Sequence, residues 1–301
     1  AALTQPENGE LALRLAKSIL WFWLIREYLV EGHNRLTELL TAFPDALPLQ
    51  RAHALRSRGN LAQNLHRYSE SSADLELALS LFEQAGDAAE VAVMQGNLGT
   101  LASDEHNYDK AQAYLERSLA YYRLHPHPKR LASILYNLGA VQIRAGQWAE
   151  AEATLAESLT YSRKLGDGLT ELYVLYNLGL IARERKHPAE ALKLFCQALE
   201  RRVQIEGESG LGMVTNLVSI LFALQESQAP SDLLALCIGK IEAVRSQNNI
   251  PIDYSDEDRY NSIQSATQTR LGSSWEAFIT SGQSISLTDL ISHIQKTNTS
   301  F

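Results

Sequence analysis

A repeat of 40 residues is the feature of this sequence that most constrains what it can fold into. Four segments that begin near Arg56, Gly96, Tyr136 and Tyr176 share a glycine and, nine residues later, an aromatic residue or proline. A fixed period of roughly 20 to 50 residues is typical of chains built from small units that stack in a row. The sequence therefore predicts a solenoid. The recurrent positions are Gly59, Gly99, Gly139 and Gly179, then Tyr68, Tyr108, Trp148 and Pro188, and Tyr28 extends the step to an earlier unit.

Each repeat unit is predicted to form two α-helices. Apolar residues recur at helical spacing before the turn, as at Leu135 and Leu138, and again after it, as at Ala151 and Leu155. The repeated glycine falls inside the first helix, where it costs on the order of 1 kcal/mol relative to alanine. Its recurrence at one phase therefore predicts a close approach of the neighbouring helix.

Short polar segments between the repeats predict where helices stop and start. Gly86-Asp87 and Gly166-Asp167 each place a glycine where a helix can end and an aspartate that can cap the next one. Glu90 follows Asp87 at the spacing of a capping box. A single hairpin cannot bury its apolar face alone, but stacked hairpins can. The sequence thus predicts an all-α protein.

The order of small, large and aromatic positions resembles the tetratricopeptide repeat. In one unit these positions are Leu98, Gly99, Tyr108, Ala111 and Leu119. The common unit of that family has about 34 residues, and we interpret the longer unit here as an extended second helix and outgoing loop. The resemblance implies a right-handed superhelical solenoid of helical hairpins.

The predicted organisation has four parts. Residues 1–9 are expected to be a poorly ordered leader, and residues 10–246 a solenoid of about six hairpins. Residues 247–257 read as a linker, and residues 258–301 as a helical cap at the C-terminus. The first and last units depart most from the pattern, as capping units of repeat arrays do.

Both ends of the chain carry motifs beyond the repeat. Near the C-terminus a Leu-Gly pair and a turn at Gly282 separate short helices, and Ser273 and Ser286 each precede an acidic residue at capping-box spacing. Near the N-terminus a Trp-x-Trp pair precedes an arginine, an aromatic residue and a Glu-Gly pair. Together the two ends resemble the C-terminal repeat region of bacterial STAND signalling ATPases, which include LuxR-type regulators. The N-terminal residues of this resemblance are Trp21, Trp23, Arg26, Tyr28, Glu31 and Gly32.

The resemblance implies a sensor region coupled to a nucleotide switch. The sequence contains no GxxxxGK[ST] loop and no recognisable DNA-binding module. We therefore expect the ATPase domain and the output domain to lie upstream of Ala1, with a stand-alone relative of these regions as the alternative.

Composition and charge argue against several classes of function. The formal net charge is -8 and no block of Lys and Arg occurs, so direct binding of nucleic acid is not expected. The most apolar run, residues 18–25, is far shorter than the roughly 20 residues of a membrane span, and residues 1–10 do not form a secretory signal. Two cysteines, Cys196 and Cys237, fit a cytoplasmic protein without disulfides.

No catalytic, cofactor-binding or metal-binding pattern emerges from the sequence. Ser, Asp and His residues occur, but none lies in a nucleophile elbow or another ordered catalytic motif. His125 and His127 lie in a proline-rich loop without a third ligand, and we interpret that segment as a plain loop between units. The protein is predicted not to be an enzyme, and no cofactor is expected.

A row of asparagines marks the candidate ligand surface. Asn97, Asn137 and Asn177 precede the Leu-Gly pairs at 40-residue steps, and Asn216 continues the row after a slip of one residue. The family resemblance implies that first helices line the concave groove, where a carboxamide can donate to one peptide backbone group and accept from the next. The alternative is structural, because asparagine is common at this position in tetratricopeptide repeats.

Tyrosines and arginines at nearby inward positions extend this surface. Both residue types tend to carry binding energy in buried contacts, and arginine can pair with a carboxylate in a bidentate way. A solvated inner face with ion pairs inside the helices is the alternative for each of them. The complete set of candidate groove residues is Arg56, Asn60, Asn64, Asn97, Tyr136, Asn137, Arg144, Tyr176, Asn177, Arg183 and Asn216.

The leading hypothesis is a ligand-sensing and protein-interaction domain of a STAND-type ATPase. Its expected partners are a peptide or protein in the groove and the upstream ATPase domain, with no membrane and no direct nucleic-acid contact. A constitutive adaptor without a nucleotide switch is the second hypothesis. A third hypothesis, an enzyme, lacks a catalytic constellation.

Overall fold

The computed structural model describes residues 20–26, 28–207 and 211–298, and every regular element among them is a helix. The all-α prediction is confirmed. The predicted leader, residues 1–9, lies outside the described residues. The helices are α1 (Leu20–Ile25), α2 (Leu29–Ala42), α3 (Pro48–Asn64), α4 (Tyr68–Gln84), α5 (Ala88–Asp104), α6 (Tyr108–Leu124), α7 (Pro128–Arg144), α8 (Trp148–Leu165), α9 (Gly168–Glu184), α10 (Pro188–Glu206), α11 (Leu211–Glu226), α12 (Ser231–Asn248), α13 (Tyr254–Leu271), α14 (Trp275–Ser284) and α15 (Leu287–Asn298), with a 3-10 turn at Gly272–Ser274.

The helices form two compact units, residues 1–147 and 148–301. In the first unit α3 packs on α4 and α5 packs on α6, which gives the predicted hairpins. The second helix of each hairpin packs on the first helix of the next, and the first helices α3, α5 and α7 also contact their neighbours. A row of first helices therefore lies side by side along one face of this unit.

Close approach of the two helices explains the repeated glycine. A Cβ atom on Gly59 would lie 2.9 Å from Leu75 Cγ, and one on Gly99 would lie 2.7 Å from Leu115 Cγ. Both leucines are fully buried in the second helix of their hairpin. The prediction of a tight helix contact at this position is confirmed for these two units, because carbon atoms at such distances would overlap.

The opening hairpin uses the same device with an aromatic ring. A Cβ atom on Gly32 would lie 2.6 Å from Trp23 Cδ2, so the indole of Trp23 packs against the backbone of α2 at Gly32. Trp23 is buried, so its side chain contributes to the packing of this opening hairpin. The side chain of Trp21 lies outside the described residues.

Four turns between consecutive helices each contain a residue in the left-handed conformation, which the sequence did not reveal. The residues are His66, His106, Gly146 and Lys186, with φ of 58°, 59°, 75° and 61°, and they too recur every 40 residues. Only glycine adopts this conformation without steric penalty. The residue that follows can cap the next helix, as Asn107 does for α6.

The predicted stops between units are confirmed. Gly86 and Gly166 have φ of 69° and 66°, and both end a helix. Asp87 then accepts a hydrogen bond from the backbone N–H of Glu90 at 3.1 Å. Asp167 caps α9 in the same way.

The second unit continues the alternation and adds the C-terminal cap. Consecutive helices from α8 to α12 pack on each other, and a Cβ atom on Gly179 would lie 2.6 Å from the ring of Phe195. Its core includes the fully buried side chains of Leu217, Phe222 and Ile238. The glycine prediction is therefore confirmed in this unit as well.

The cap packs mainly on second helices. Helix α13 packs on α12 and touches α11, while α15 packs on α10 and α12. Helix α14 crosses α12 so closely that a Cβ atom on Gly282 would lie 2.4 Å from the carbonyl oxygen of Leu236. The pair of glycines at this crossing, Gly239 and Gly282, therefore anchors the cap through backbone contact.

Two predicted boundaries of the cap differ from the structure. Helix α12 runs through Asn248 and α13 begins at Tyr254, so the connection is 249–253 instead of the predicted linker 247–257.

The capping box at Ser286 is confirmed, since its hydroxyl oxygen accepts from the backbone N–H of Asp289 at 3.0 Å. The one predicted at Ser273 is wrong, because a 3-10 turn carries the chain into α14.

Candidate functional site

Two of the predicted groove residues in the first unit bond directly to each other. Asn97 Nδ2, on α5, donates to Asn60 Oδ1, on α3, at 3.3 Å. Both side chains are half-buried. The bond joins the first helices of consecutive hairpins and holds the carboxamide of Asn97 in one orientation.

A second pair of bonds lies near the C-terminal ends of the first helices α3, α5 and α7. Gln63 Nε2 donates to Asp104 Oδ2 at 2.7 Å, and Arg144 Nη1 donates to Ser103 Oγ at 2.7 Å. Each bond joins one first helix to the next. Only Arg144 of these four residues was predicted, and the 41-residue separation within each pair is the signal that was overlooked.

Arg56 forms an ion pair with another residue of the same unit, Glu90. Its guanidinium contacts the carboxylate of Glu90, and His53 Nδ1 lies 3.8 Å from the same carboxylate. The buried hydroxyl of Tyr122 lies nearby, and burial raises its pKa. Arg56 therefore links α3 to the start of α5, and its charge is compensated within the fold.

The remaining predicted residues of the first unit differ in exposure. Asn64 is exposed and donates to the backbone oxygen of Asn60 at 2.8 Å, one turn earlier in α3. Tyr136 and Asn137, on α7, are half-buried. The first-helix face of this unit thus presents carboxamides at three successive first helices: Asn60, Asn97 and Asn137.

In the second unit, Tyr176 lies against the core with its hydroxyl directed to α11. The hydroxyl is 3.1 Å from Ser219 Oγ, and the ring centroid is 5.5 Å from that of Phe195. Burial raises the pKa of Tyr176, and this effect outweighs the hydrogen bond and the nearby arginines. Asn177, the next residue of the row, is half-buried.

Arg183 lies over a buried aromatic ring, in a cluster that sequence reasoning only partly found. Its guanidinium carbon is 5.9 Å from the ring centroid of Phe222, and that of Arg259 is 4.2 Å from the same ring. Asp256, in the first turn of α13, lies within electrostatic reach of both arginines. Asp256 and Arg259 were not predicted, because residues 247–257 were assigned to a linker and residues 258–301 to a cap, and Phe222 was not predicted either.

Asn216 is not part of the exposed row. Its side chain is only 1% exposed, and its Oδ1 accepts from Arg202 Nε at 3.0 Å. Arg202 is itself buried and also pairs with Glu206 at 2.8 Å. The slip of one residue in the repeat places Asn216 on the inner side of α11, so the prediction of a groove residue at this position is corrected.

The structure assigns other candidate groups to packing. The ring of His125 stacks on Tyr121 at 4.4 Å, and His127 Nδ1 accepts from a backbone N–H at the start of α7. Burial raises the pKa of both thiols, to about 12 at Cys237. Over the described parts of the chain, no three His, Cys, Asp or Glu side chains converge as metal ligands would. No helix in those parts has the length and apolar character to cross a membrane.

The fold and the row of first helices define a class of helical-repeat protein. Residues 50–123 and 130–202 match the family model of the tetratricopeptide repeat. These stretches are tetratricopeptide repeats, as the residue pattern predicted. No curated protein matches the sequence.

Solved structures share the same architecture. The apo form of the quorum sensor NprR from B. thuringiensis aligns with a TM-score of 0.63 and 12% identity, over 95% of this chain and 88% of that chain. NprR in complex with its cognate peptide NprX gives 0.60 and 13%, over 90% and 77%. The pilF protein of Pseudomonas aeruginosa gives 0.55 and 14%, over 90% and 97%. At these identities the similarity shows the fold alone.

Proposed function

We propose that this chain is a non-catalytic binding module that takes a peptide, or an extended segment of a protein, along its first-helix faces. The observation that carries the proposal is the set of half-buried carboxamides on first helices, at Asn60, Asn97 and Asn137 in the first unit and at Asn177 in the second. A carboxamide has two donors and an acceptor, which suits the alternating groups of an extended backbone.

The bond between Asn97 and Asn60 strengthens the case for a prepared surface. A side chain that is already held in one orientation loses less rotamer freedom when a ligand binds. The fold is also that of NprR, whose structure includes its cognate peptide NprX. A scaffold of this type therefore suits a peptide ligand.

The test is affinity selection of a synthetic library of short random peptides, followed by titration of the enriched sequences. We expect them to bind the wild type and to lose affinity in the triple variant Asn97→Ala, Asn137→Ala and Asn177→Ala. Each net hydrogen bond contributes about 0.5–1.5 kcal/mol, so the combined loss is expected to be at least about tenfold.

Matched controls separate this effect from loss of folding. Asn34→Ala and Asn261→Ala remove exposed carboxamides from α2 and α13 and are expected to bind as the wild type does. All variants must have equal helicity and thermal stability. Equal affinity of the triple variant and the wild type would refute binding by the asparagine row.

The finer proposal is that the module is the sensor of a STAND-type ATPase in a cytoplasmic regulator. It is supported by the motifs at the two ends, including the contact of Trp23 with Gly32. A sensor must bind its ligand with different affinity in two states of the whole protein. We therefore expect the selected peptide to change the nucleotide-exchange rate of the full-length gene product.

A constitutive adaptor is the second candidate, because the fold and the asparagine row suit a peptide ligand whether or not a nucleotide switch is attached. It differs from the sensor in what lies upstream of Ala1 and in its response. A P-loop and a winged helix upstream favour the sensor. A full-length protein that binds the peptide without any change in nucleotide exchange would instead be an adaptor.

A further inference from the structure

Three helices of the second unit bring two arginines onto one buried ring. Arg183 comes from α9 and Arg259 from α13, and both lie over Phe222 of α11, at 5.9 Å and 4.2 Å from the ring centroid. Phe222 is buried, and both arginines are half-buried. Contacts between a cation and an aromatic face hold a planar guanidinium in position. The ring thus fixes two positive charges at one place.

The two arginines differ in how their charges are compensated. Arg259 Nη2 donates to Glu226 Oε1 at 2.7 Å and to Gln225 Oε1 at 3.2 Å. The contact of Arg183 is with the ring of Phe222, and its guanidinium forms no ion pair or hydrogen bond with any of residues 20–26, 28–207 and 211–298. A guanidinium carries five donors in a fork that matches a carboxylate. Arg183 therefore presents an unfilled carboxylate-binding group.

The surroundings of Arg183 are partly desolvated. Burial is the main reason that the pKa of Tyr176 is raised, although Arg183 opposes it. Burial also raises the pKa of Asp256 and outweighs the attraction of Arg183 and Arg259. Ion pairs in such a place are screened less than those in open water.

Asp256 is the chain's own competitor for this site. It belongs to the first turn of α13, and its charge acts on both arginines. Within the described part of the chain it forms no ion pair with either of them. It therefore lowers the local positive potential without occupying the donors of Arg183.

We propose that Arg183 binds a carboxylate of the ligand, with Phe222 positioning its guanidinium and Asp256 competing with the ligand. The inference rests on the proposed function and deepens it by naming the ligand's chemistry. The ligand is a peptide that carries an acidic side chain or a free C-terminal carboxylate at the point that meets α9 and α13.

The test uses the random peptide library in two forms, one with a free C-terminus and one with a C-terminal amide. If peptides containing Asp or Glu are enriched from both forms of the library, the bound carboxylate belongs to a side chain. If peptides are enriched only from the form with a free C-terminus, the bound carboxylate is the C-terminal one. For an enriched peptide, Arg183→Gln is expected to weaken binding about tenfold to a hundredfold. Asp256→Asn is expected to tighten it several-fold, because a like charge is removed.

Arg185→Gln is the matched control, since Arg185 is exposed at the C-cap of α9 and pairs with Glu152. It is expected to leave the affinity unchanged. Arg183→Lys keeps a positive charge near the ring but loses the planar fork, so an intermediate loss is expected. If Arg183→Gln is less thermally stable than the wild type, the affinity of Arg183→Lys is used to test the proposal instead.

The possible failures are distinguishable. If peptides are enriched and depend on the asparagine row but not on Arg183, the carboxylate site is refuted and the proposed function stands. If neutral peptides with a C-terminal amide are enriched, the carboxylate site is likewise refuted and the proposed function stands. If the wild type enriches no peptide, both proposals are refuted.

Discussion

Two glycines in one helix provide a sharp test of the packing within a repeat. Gly96 and Gly99 both lie in α5, three residues apart. A Cβ atom on Gly96 would lie 3.6 Å from Ser118 Oγ, which is ordinary contact. A Cβ atom on Gly99 would lie 2.7 Å from Leu115 Cγ and 3.2 Å from the carbonyl oxygen of Ala111. The two positions share their helix environment and differ in the space available.

The expected effects follow from two opposing contributions. Replacing glycine by alanine inside a helix stabilises it by about 0.5–1 kcal/mol, and Gly96→Ala should show this gain. Gly99→Ala has the same gain but overpacks the contact with α6, which typically costs about 1–3 kcal/mol. The gain cancels in the comparison, so Gly99→Ala should be less stable than Gly96→Ala by about 1–3 kcal/mol.

Urea denaturation followed by far-ultraviolet circular dichroism measures this difference. Because repeat arrays can unfold in parts, amide hydrogen exchange in α5 and α6 should be measured as well. Exchange is expected to speed up there for Gly99→Ala and to slow for Gly96→Ala. If Gly99→Ala proves as stable as Gly96→Ala, the proposed reason for the repeated glycine is wrong.

Three further predictions concern the fold. Lys186→Gly relieves a left-handed residue at φ 61° and should raise the unfolding free energy by up to about 1 kcal/mol in urea denaturation. Gly282→Ala places a carbon 2.4 Å from the backbone oxygen of Leu236, so it should detach the cap, seen as new protease sensitivity after residue 248; an intact cap would contradict this. Cys196 and Cys237 have raised pKa values because of burial, so a thiol reagent near neutral pH should label them only as fast as the protein opens; rapid labelling of the folded protein would show that they are accessible.

The sequence predicted the repeat-level organisation because the forces behind it are local. Helical periodicity, caps such as Asp87 and stops such as Gly86 act within a few residues, so their spacing is visible along the chain. The interior glycine was also predictable, since a residue that weakens a helix recurs only where the packing requires it. Gly99 and its contact with Leu115 bear this out.

The candidate site was predictable only in outline. The asparagine row followed from a fixed step, and Asn97 does meet Asn60. Arg56 was expected to face a ligand, yet it pairs with Glu90, which lies 34 residues later. The sequence contains both residues but not the angle at which α3 and α5 meet, and that angle decides whether the charge is compensated.

By itself, the sequence determined the helices, their pairing into hairpins and the register of the repeat. Tertiary structure alone decided which polar side chains remain available, because that depends on contacts between helices distant along the chain. Asn216 is not available to a ligand, because it is buried and accepts a hydrogen bond from Arg202. Arg183 lies over the ring of Phe222, beside Arg259, because the fold brings these residues of α11 and α13 close to α9. Hydrogen bonds within a helix join residues a few positions apart, so the local sequence pattern predicts them. The surroundings of a charge depend on every helix that packs around it, so the local pattern does not predict them.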